Sequence, residues 1–411
     1  MAIDRRNLLA GAAAVPALGA LPFRPARAQA ANTVRIGVLT DMSSTFRDIN
    51  GPVTVACARL AVQEFGNRGF DVEVLVADHQ NRPDVGVNIA RQWFDRDGVD
   101  MVLSLAASSV ALAVADLTRE RNKVIIPTST ATSDLTGRAC SPNTVHWVYD
   151  TYMLAKSTGG ATVRAGGDSW FFITADYAFG HALERDTGNF VRAAGGRVLG
   201  GVRTPFPGTT DFSSFLLQAQ ASRAKVVGLA NAGNDTINSI KQAAEFGLTR
   251  RGVKLASMLM FITDVHALGL GTAQGLVCTE TFYWDLNDRT RGFARRARAV
   301  AGQVPIAMSH AGDYAGTLHF LKAVADLGVA AAKADGRAVV ARMKAMPTED
   351  DAFGPGTIRE DGRKMHPAYL FEVKSPEESR GPFDYYKLLQ TTAPEDAFRP
   401  LGEGGCPLIR T

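Results

Sequence analysis

Hydroxyl groups crowd three short segments of this 411-residue chain: Thr40-Asp41-Met42-Ser43-Ser44-Thr45-Phe46, Ala106-Ala107-Ser108-Ser109 and Pro127-Thr128-Ser129-Thr130-Ala131-Thr132-Ser133. Each follows a short apolar, β-branched run, so each falls where a buried strand would end. Hydroxyls gathered there can donate to a carboxylate, and a helix opening at Ser108 would add free backbone amides and the positive end of its dipole. A bond of this kind contributes roughly 1.5–3 kcal/mol net. A micromolar ligand needs about 8 kcal/mol, so three or four such bonds with some apolar contact suffice. Three later segments carry a complementary set: Ala175-Asp176-Tyr177-Ala178-Phe179-Gly180, Asn231-Ala232-Gly233-Asn234-Asp235 and Phe261-Ile262-Thr263-Asp264. Tyr177 and Phe179 offer aromatic faces, Asn231 and Asn234 amides, and Asp264 a carboxylate. Taken singly, Ser108 and Ser129 also suit helix caps and turns, Phe179 a core position and Asp264 a turn cap. Their convergence on strand ends is what favours a ligand shell.

Catalytic patterns are missing. Gly167-Asp168-Ser169-Trp170 precedes a strand, so its serine sits at the wrong end to reach a cleft. The chain has no Gly-x-Ser-x-Gly elbow, His-Glu-x-x-His helix or phosphate loop, and Gly269-Leu270-Gly271 reads as a turn. The seven histidines are scattered. His181 with Glu184 is a surface helical pair, and His310 with Tyr314 shares one helix face and suits packing. Neither a metal nor a cofactor is expected.

The elements that must position these segments repeat one script twice. Val34–Leu39, Val72–Val76, Met101–Leu105 and Val124–Ile126 alternate with helical periods near 51–67, 83–97 and 108–121. Trp170–Ile173, Arg197–Leu199, Val226–Ala230 and Leu255–Met260 alternate with helices near 179–194, 211–222 and 234–246. The fold class is therefore α/β: two Rossmann-like lobes joined by a multi-strand hinge, each binding beyond its strand carboxyl ends. Lobe 1 is expected over 31–154 and lobe 2 over 155–280. Lobe 1 would be completed by return helices over 281–365, at about 288–301 and 311–346. A hairpin of Tyr369–Val373 and Asp384–Leu389 falls in a tail of 366–411. Several crossings make a hinge on which lobes can close as rigid bodies.

Residues 1–30 read as an export signal and stand outside the fold: Arg5-Arg6, an Ala/Gly-rich apolar run, then Ala28-Gln29-Ala30. The arginine pair suggests the twin-arginine route, with a general export signal as the alternative. The apolar run is too short for a membrane span, and no cysteine marks a lipid anchor. Without this segment, 41 basic and 40 acidic residues remain, a near-neutral balance with no basic stripe for nucleic acid. Arg289, Arg291, Arg295, Arg296 and Arg298 read as a solvated helix face beside Asp285 and Asp288. The four cysteines lack zinc spacing. Cys57 and Cys278 lie in apolar runs, whereas Cys140 and Cys406 lie in loops, open either to a disulfide or to two free thiols.

Ser108-Ser109, the turn from Pro127 to Leu135-Thr136, Ala175 to Gly180 and Phe282-Tyr283-Trp284-Asp285 together give the chain a family likeness. It resembles, over essentially its whole length after the signal, the solute-binding subunits of branched-chain amino acid and amide type ABC importers, with the type I periplasmic binding fold. The resemblance implies a ligand carboxylate held by Ser108, Ser109 and the turn Ser129, Thr130, Ala131 and Thr132. It places an aromatic at Phe46, another at Phe179 where the amino-acid binders carry Tyr, and an acidic partner for an amino group near Asp264. It further implies a periplasmic protein with no membrane anchor, a membrane permease as partner, and an amino acid, amide, keto acid or aromatic acid as ligand. A periplasmic sensor would use the same cleft. An exported hydrolase would need a nucleophile and base that the chain does not display.

Overall fold

The computed structural model describes residues 32–410. The export signal expected over 1–30 lies outside them. Four parallel strands, β1 (Thr33–Thr40), β2 (Asp71–Asp78), β3 (Met101–Ser104) and β4 (Val124–Pro127), form a sheet in the order β2-β1-β3-β4. The connecting helices are α1 (Gly51–Phe65), α2 (Pro83–Gln92) and α3 (Ser108–Glu120). Strands β3 and β4 are buried throughout, whereas edge strand β2 keeps several positions open. This is why the buried strands read as unbroken apolar runs. The π turn Trp93–Asp97 ends α2 earlier than its sequence period suggests.

A second parallel sheet repeats the plan in the order β6-β5-β7-β8, from β5 (Ser169–Ala175), β6 (Arg197–Thr204), β7 (Val226–Ala230) and β8 (Lys254–Ser257). Its helices are α4 (Ala178–Ala193), α5 (Ser213–Ala221), α6 (Asn234–Glu245) and α7 (Ile262–Leu268). Strand β8 is shorter than the expected Leu255–Met260, because Met258 to Phe261 leave the sheet as a buried loop. At the β5–α4 turn a Cβ on Gly180 would sit 2.0 Å from the Ala175 carbonyl oxygen. Only glycine lets the helix start this close to the strand, which brings Phe179 to the sheet edge.

The chain returns to the first lobe through β9 (Val277–Glu280), then α8 (Asp288–Ala301) and α9 (Met308–Leu327), both packed on α1. The single helix expected over 311–346 is three. Gly328, at φ 82°, ends α9; α10 (Val329–Ala334) follows; and Asp335 caps α11 (Gly336–Ala345) by accepting from the Arg337 and Ala338 amides. After a two-residue ladder of β10 (Thr357–Ile358) with β11 (Lys364–Met365), the late hairpin forms as β12 (Ala368–Val373) and β13 (Tyr386–Thr392). Strand β9 joins it, giving an antiparallel sheet in the order β13-β12-β9.

The tail is fixed covalently. Cys140 and Cys406 form a disulfide with Cα atoms 5.5 Å apart, and Cys57 and Cys278 are free and buried. Arginines of α8 are largely ion-paired, Arg289 with Asp351, Arg291 with Asp285, and Arg296 with Glu64, as a solvated helix face would be. Arg298 instead lies 4.8 Å from the ring centroids of both Trp284 and Phe383.

Candidate functional site

The carboxyl ends of the two parallel sheets face each other, and between them lies a narrow gap of about 10 Å³. The first lobe contributes Phe46, Ile49, Ala106, Ser108, Ser129 and Ala131. The crossing segment contributes Tyr149, and the second lobe Tyr177, Phe179, Ala232 and Leu259. Most of these side chains are almost wholly buried: Phe46 is 3% exposed, Phe179 2%, Tyr149 1% and Ser108 1%. The two lobes touch around the cavity, with the Asn234 amide donating to the Thr45 carbonyl at 3.3 Å. Near the hinge, Asp186 accepts from Ser133 Oγ at 2.8 Å and from Thr151 Oγ1 at 2.6 Å. This is a closed cleft.

Local chemistry explains how each wall is presented. Asp41, fully buried at the end of β1, accepts from the amides of Ser43, Ser44 and Phe46 at 3.2, 2.8 and 2.8 Å and from Asn81 Nδ2 at 2.6 Å. Its carboxylate folds the hydroxyl-rich loop back on itself and delivers Phe46 to the cavity. Ser108 is the first residue of α3, so free amides of the first helical turn border the space. Tyr149 donates from its hydroxyl to the Ser129 carbonyl at 2.8 Å and packs edge-on against Phe261 at 5.5 Å. That bond fixes the Ser129 backbone, while Ser129 lines the cavity and its buried Oγ has no hydrogen-bond partner among the described residues. The only titratable lining groups are Tyr149 and Tyr177, both pushed well above the usual phenol range, chiefly by burial. They are neutral hydroxyls at any physiological pH.

Of the twelve residues singled out from the sequence, the structure brings Phe46, Ser108, Ser129, Ala131, Tyr177 and Phe179 together around this space. The other six are engaged elsewhere. Thr130 Oγ1 donates to the Leu105 carbonyl. Thr132 caps the short turn Ser133–Thr136, accepting from the Asp134 amide at 3.4 Å, while its own amide donates to Ser108 Oγ at 3.3 Å. Ser109 is half-buried outside the lining. Asn231 is held between Ser239 Oγ at 3.0 Å and Thr236 Oγ1 at 2.8 Å, and Asn234 is exposed. Asp264 caps α7 by accepting from the Phe261 amide at 2.9 Å, with burial pushing its carboxyl up to about 7. The turn-cap reading of Asp264 is therefore the one its geometry supports. Ile49, Ala106, Tyr149, Ala232 and Leu259 were not singled out; all are apolar or aromatic, and in sequence nothing separates them from core.

A sequence profile described as "Periplasmic binding protein" matches residues 33–381. The chain belongs to the periplasmic binding protein family. Among solved members, a periplasmic binding protein from Burkholderia mallei is 45% identical, with 92% of this chain and 100% of that one covered and a TM-score of 0.89. A branched chain amino acid ABC transporter periplasmic ligand-binding protein from Burkholderia xenovorans is 37% identical, over 91% of this chain and 99% of that one, at a TM-score of 0.79. A solute-binding protein of an R. palustris ABC transporter, in complex with benzoate, shares the fold at 20% identity, over 91% of this chain and 99% of that one, with a TM-score of 0.79. None of the curated proteins searched matches the chain. Among the described residues, no helix is long and apolar enough to cross a membrane, and no group of His, Cys, Asp and Glu could hold a metal ion.

Proposed function

We propose that this periplasmic binding protein is the capture component of an ABC importer, taking up a small monocarboxylate with a planar or branched apolar body and presenting the closed form to a membrane permease. The observation that carries the reading is the make-up of the cavity wall. Phe46, Ile49, Tyr177, Phe179 and Leu259 give it an apolar, largely aromatic body, and Ser108 and Ser129 give it one hydroxyl-bearing edge at a helix start. No carboxylate lines it, so the ammonium of an α-amino acid would be buried without a counter-charge, which is strongly unfavourable. A carboxylate at the Ser108–Ser129 edge would meet hydroxyl and amide donors. The gap, at about 10 Å³, is far smaller than a small-molecule pocket, so a ligand enters only as the lobes part, and the chemistry of the wall rather than its volume selects it. Benzoate and 4-hydroxybenzoate, the ligands of two R. palustris fold neighbours, have this shape and charge.

Thermal shift and titration calorimetry on the chain lacking its first 30 residues would test the proposal, with benzoate, 4-hydroxybenzoate, phenylacetate and branched keto acids against leucine and short amides. A ligand that binds only the folded state raises the melting temperature. The expected result is a shift with one class of apolar monocarboxylates and none with leucine. A larger shift with leucine than with any acid lacking an amino group would overturn the assignment.

A further inference from the structure

Outside the cavity wall, on the loop that follows β6, Phe206 touches both lobes. Its ring stacks on Tyr177 of the second lobe with centroids 3.9 Å apart and planes 12° apart, and on Phe46 of the first lobe at 5.4 Å and 29°. Tyr177 in turn packs on Phe179 at 5.8 Å. Phe46, Phe206, Tyr177 and Phe179 thus form one aromatic row running from lobe to lobe, three of whose members line the cavity. Phe206 itself is partly exposed, so it covers the row from outside.

The lobes also meet beside this row. Gly233, at φ 58°, lies so near the Phe46 loop that a Cβ there would be 2.6 Å from the Thr45 carbonyl oxygen and 3.1 Å from the Phe46 ring. The adjacent Asn234 amide makes the cross-lobe bond to Thr45. Opening the cleft must therefore break Phe46–Phe206 and Asn234–Thr45 together. The Phe206–Tyr177 stack, internal to the second lobe, survives.

We propose that Phe206 is the latch of the cleft: a positioning residue that holds the closed state by engaging Phe46 across the lobes, and so sets how long a bound molecule is retained. Its role in retention rests on the reading of the cavity as the ligand site; its role in closure does not. Loss of one aromatic pair changes an equilibrium by roughly three- to tenfold.

The test compares Phe206→Ala and Phe206→Tyr with the parent chain in two measurements. In the ligand-free protein, amide hydrogen exchange at Asn234 reports lobe opening and exchange at Phe172, inside β5, reports general loosening. Phe206→Ala should speed Asn234 exchange by about three- to tenfold and leave Phe172 unchanged, and Phe206→Tyr should restore the parent rate. Equal exchange at Asn234 in all three chains, or acceleration at both sites alike, would overturn the latch. With benzoate as probe, stopped-flow dissociation should quicken by a similar factor while the association rate stays within about twofold. Faster Asn234 exchange without benzoate binding by any chain would uphold the latch and count against the monocarboxylate reading alone.

Discussion

Replacing Ser129 by alanine should weaken binding of the captured acid while leaving the ligand-free protein as stable as before, or slightly more so. The two effects have opposite signs because the hydroxyl is of no use to the fold. Ser129 is 3% exposed, its Oγ has no partner among the described residues, and its backbone is held independently by the Tyr149 hydroxyl. A buried hydroxyl without a partner costs about 1–3 kcal/mol, so its removal is neutral to stabilising. A hydrogen bond to a charged acceptor contributes about 1.5–3 kcal/mol, so the dissociation constant should rise roughly 12- to 150-fold. Thr130 is the matched control one residue away. Its Oγ1 donates to the Leu105 carbonyl, so Thr130→Ala should cost about 1 kcal/mol of stability and change affinity less than about twofold. Titration calorimetry with the best acid from the screen, and thermal melts without it, read both quantities on both variants. Unchanged affinity in Ser129→Ala, or an affinity loss in Thr130→Ala larger than that in Ser129→Ala, would refute the orientation of this turn and the anion edge built on it.

Stability should also depend on pH. Burial pushes the carboxyls of Asp235, Asp264 and Asp313 from the usual 3.8 up to about 7. A raised native pKa means the folded state binds the proton more tightly. Each group's contribution is thus fully present below pH 3.8 and is lost as pH rises through about 7, at about 1.4 kcal/mol per pH unit mid-window. Buried histidines held neutral, such as His366, act with the opposite sign up to about pH 6.5, so the carboxyl effect is read as a difference. From about pH 6.5 to 7.5 Asp313→Asn, which mimics the protonated acid, should gain melting temperature relative to the parent, and an unchanged difference would remove Asp313 as a contributor. Opening the Cys140–Cys406 disulfide, by reductant or by replacing both cysteines with serine, should cost about 2–4 kcal/mol, read as a lower melting temperature. It should also free the tail, whose Arg399 donates to the Ser133 carbonyl at 2.7 Å, seen as faster amide exchange after residue 399. Identical melts with and without reductant would contradict this.

Parallel strands buried on both faces leave an unmistakable apolar run, so both sheets and their helices were legible in the sequence. The site was legible as a set of strand ends, but not side chain by side chain. Ser129 and Thr130 are adjacent hydroxyls. Which one faces the cavity depends on the Leu105 carbonyl capturing Thr130, a contact set by how β3 ends against β4. Asp264 reads equally as a ligand carboxylate and as a helix cap until the Phe261 amide is seen to occupy it. Phe206 stands between two prolines in a loop that no strand-end pattern marks. Leu259 and Tyr149 look like core because chemically they are core, exposed only to a gap between lobes. The cysteine pairing stayed open in sequence because connectivity is a matter of distance, and 266 residues separate the partners.

The hinge behind the cavity is bonded crossing to crossing. The first crossing, near 148–150, and the third, near 363–367, are bound through Arg363, which is fully buried, donates to the Val148 carbonyl at 2.8 Å and lies 3.4 Å from Asp150. His366 shares the same carbonyl at 2.8 Å, and burial holds its imidazole well below the ordinary range, at about 3, so it stays neutral and does not add to the Arg363 charge. The second crossing leaves β9, which is paired to β12, and Glu280 at its end accepts from the Tyr386 hydroxyl at 3.1 Å. Each crossing is thus bonded to a neighbour, and the third, leading into β12, links the other two. A buried ion pair is weak evidence for stability, but removing one partner leaves an unpaired buried charge. Separating the hinge strands would therefore break these bonds and leave Arg363 buried without its partner. The cross-lobe contacts that opening must break are those of Phe46, which lines the cavity, and of Thr45 and Ser133 close by in the chain.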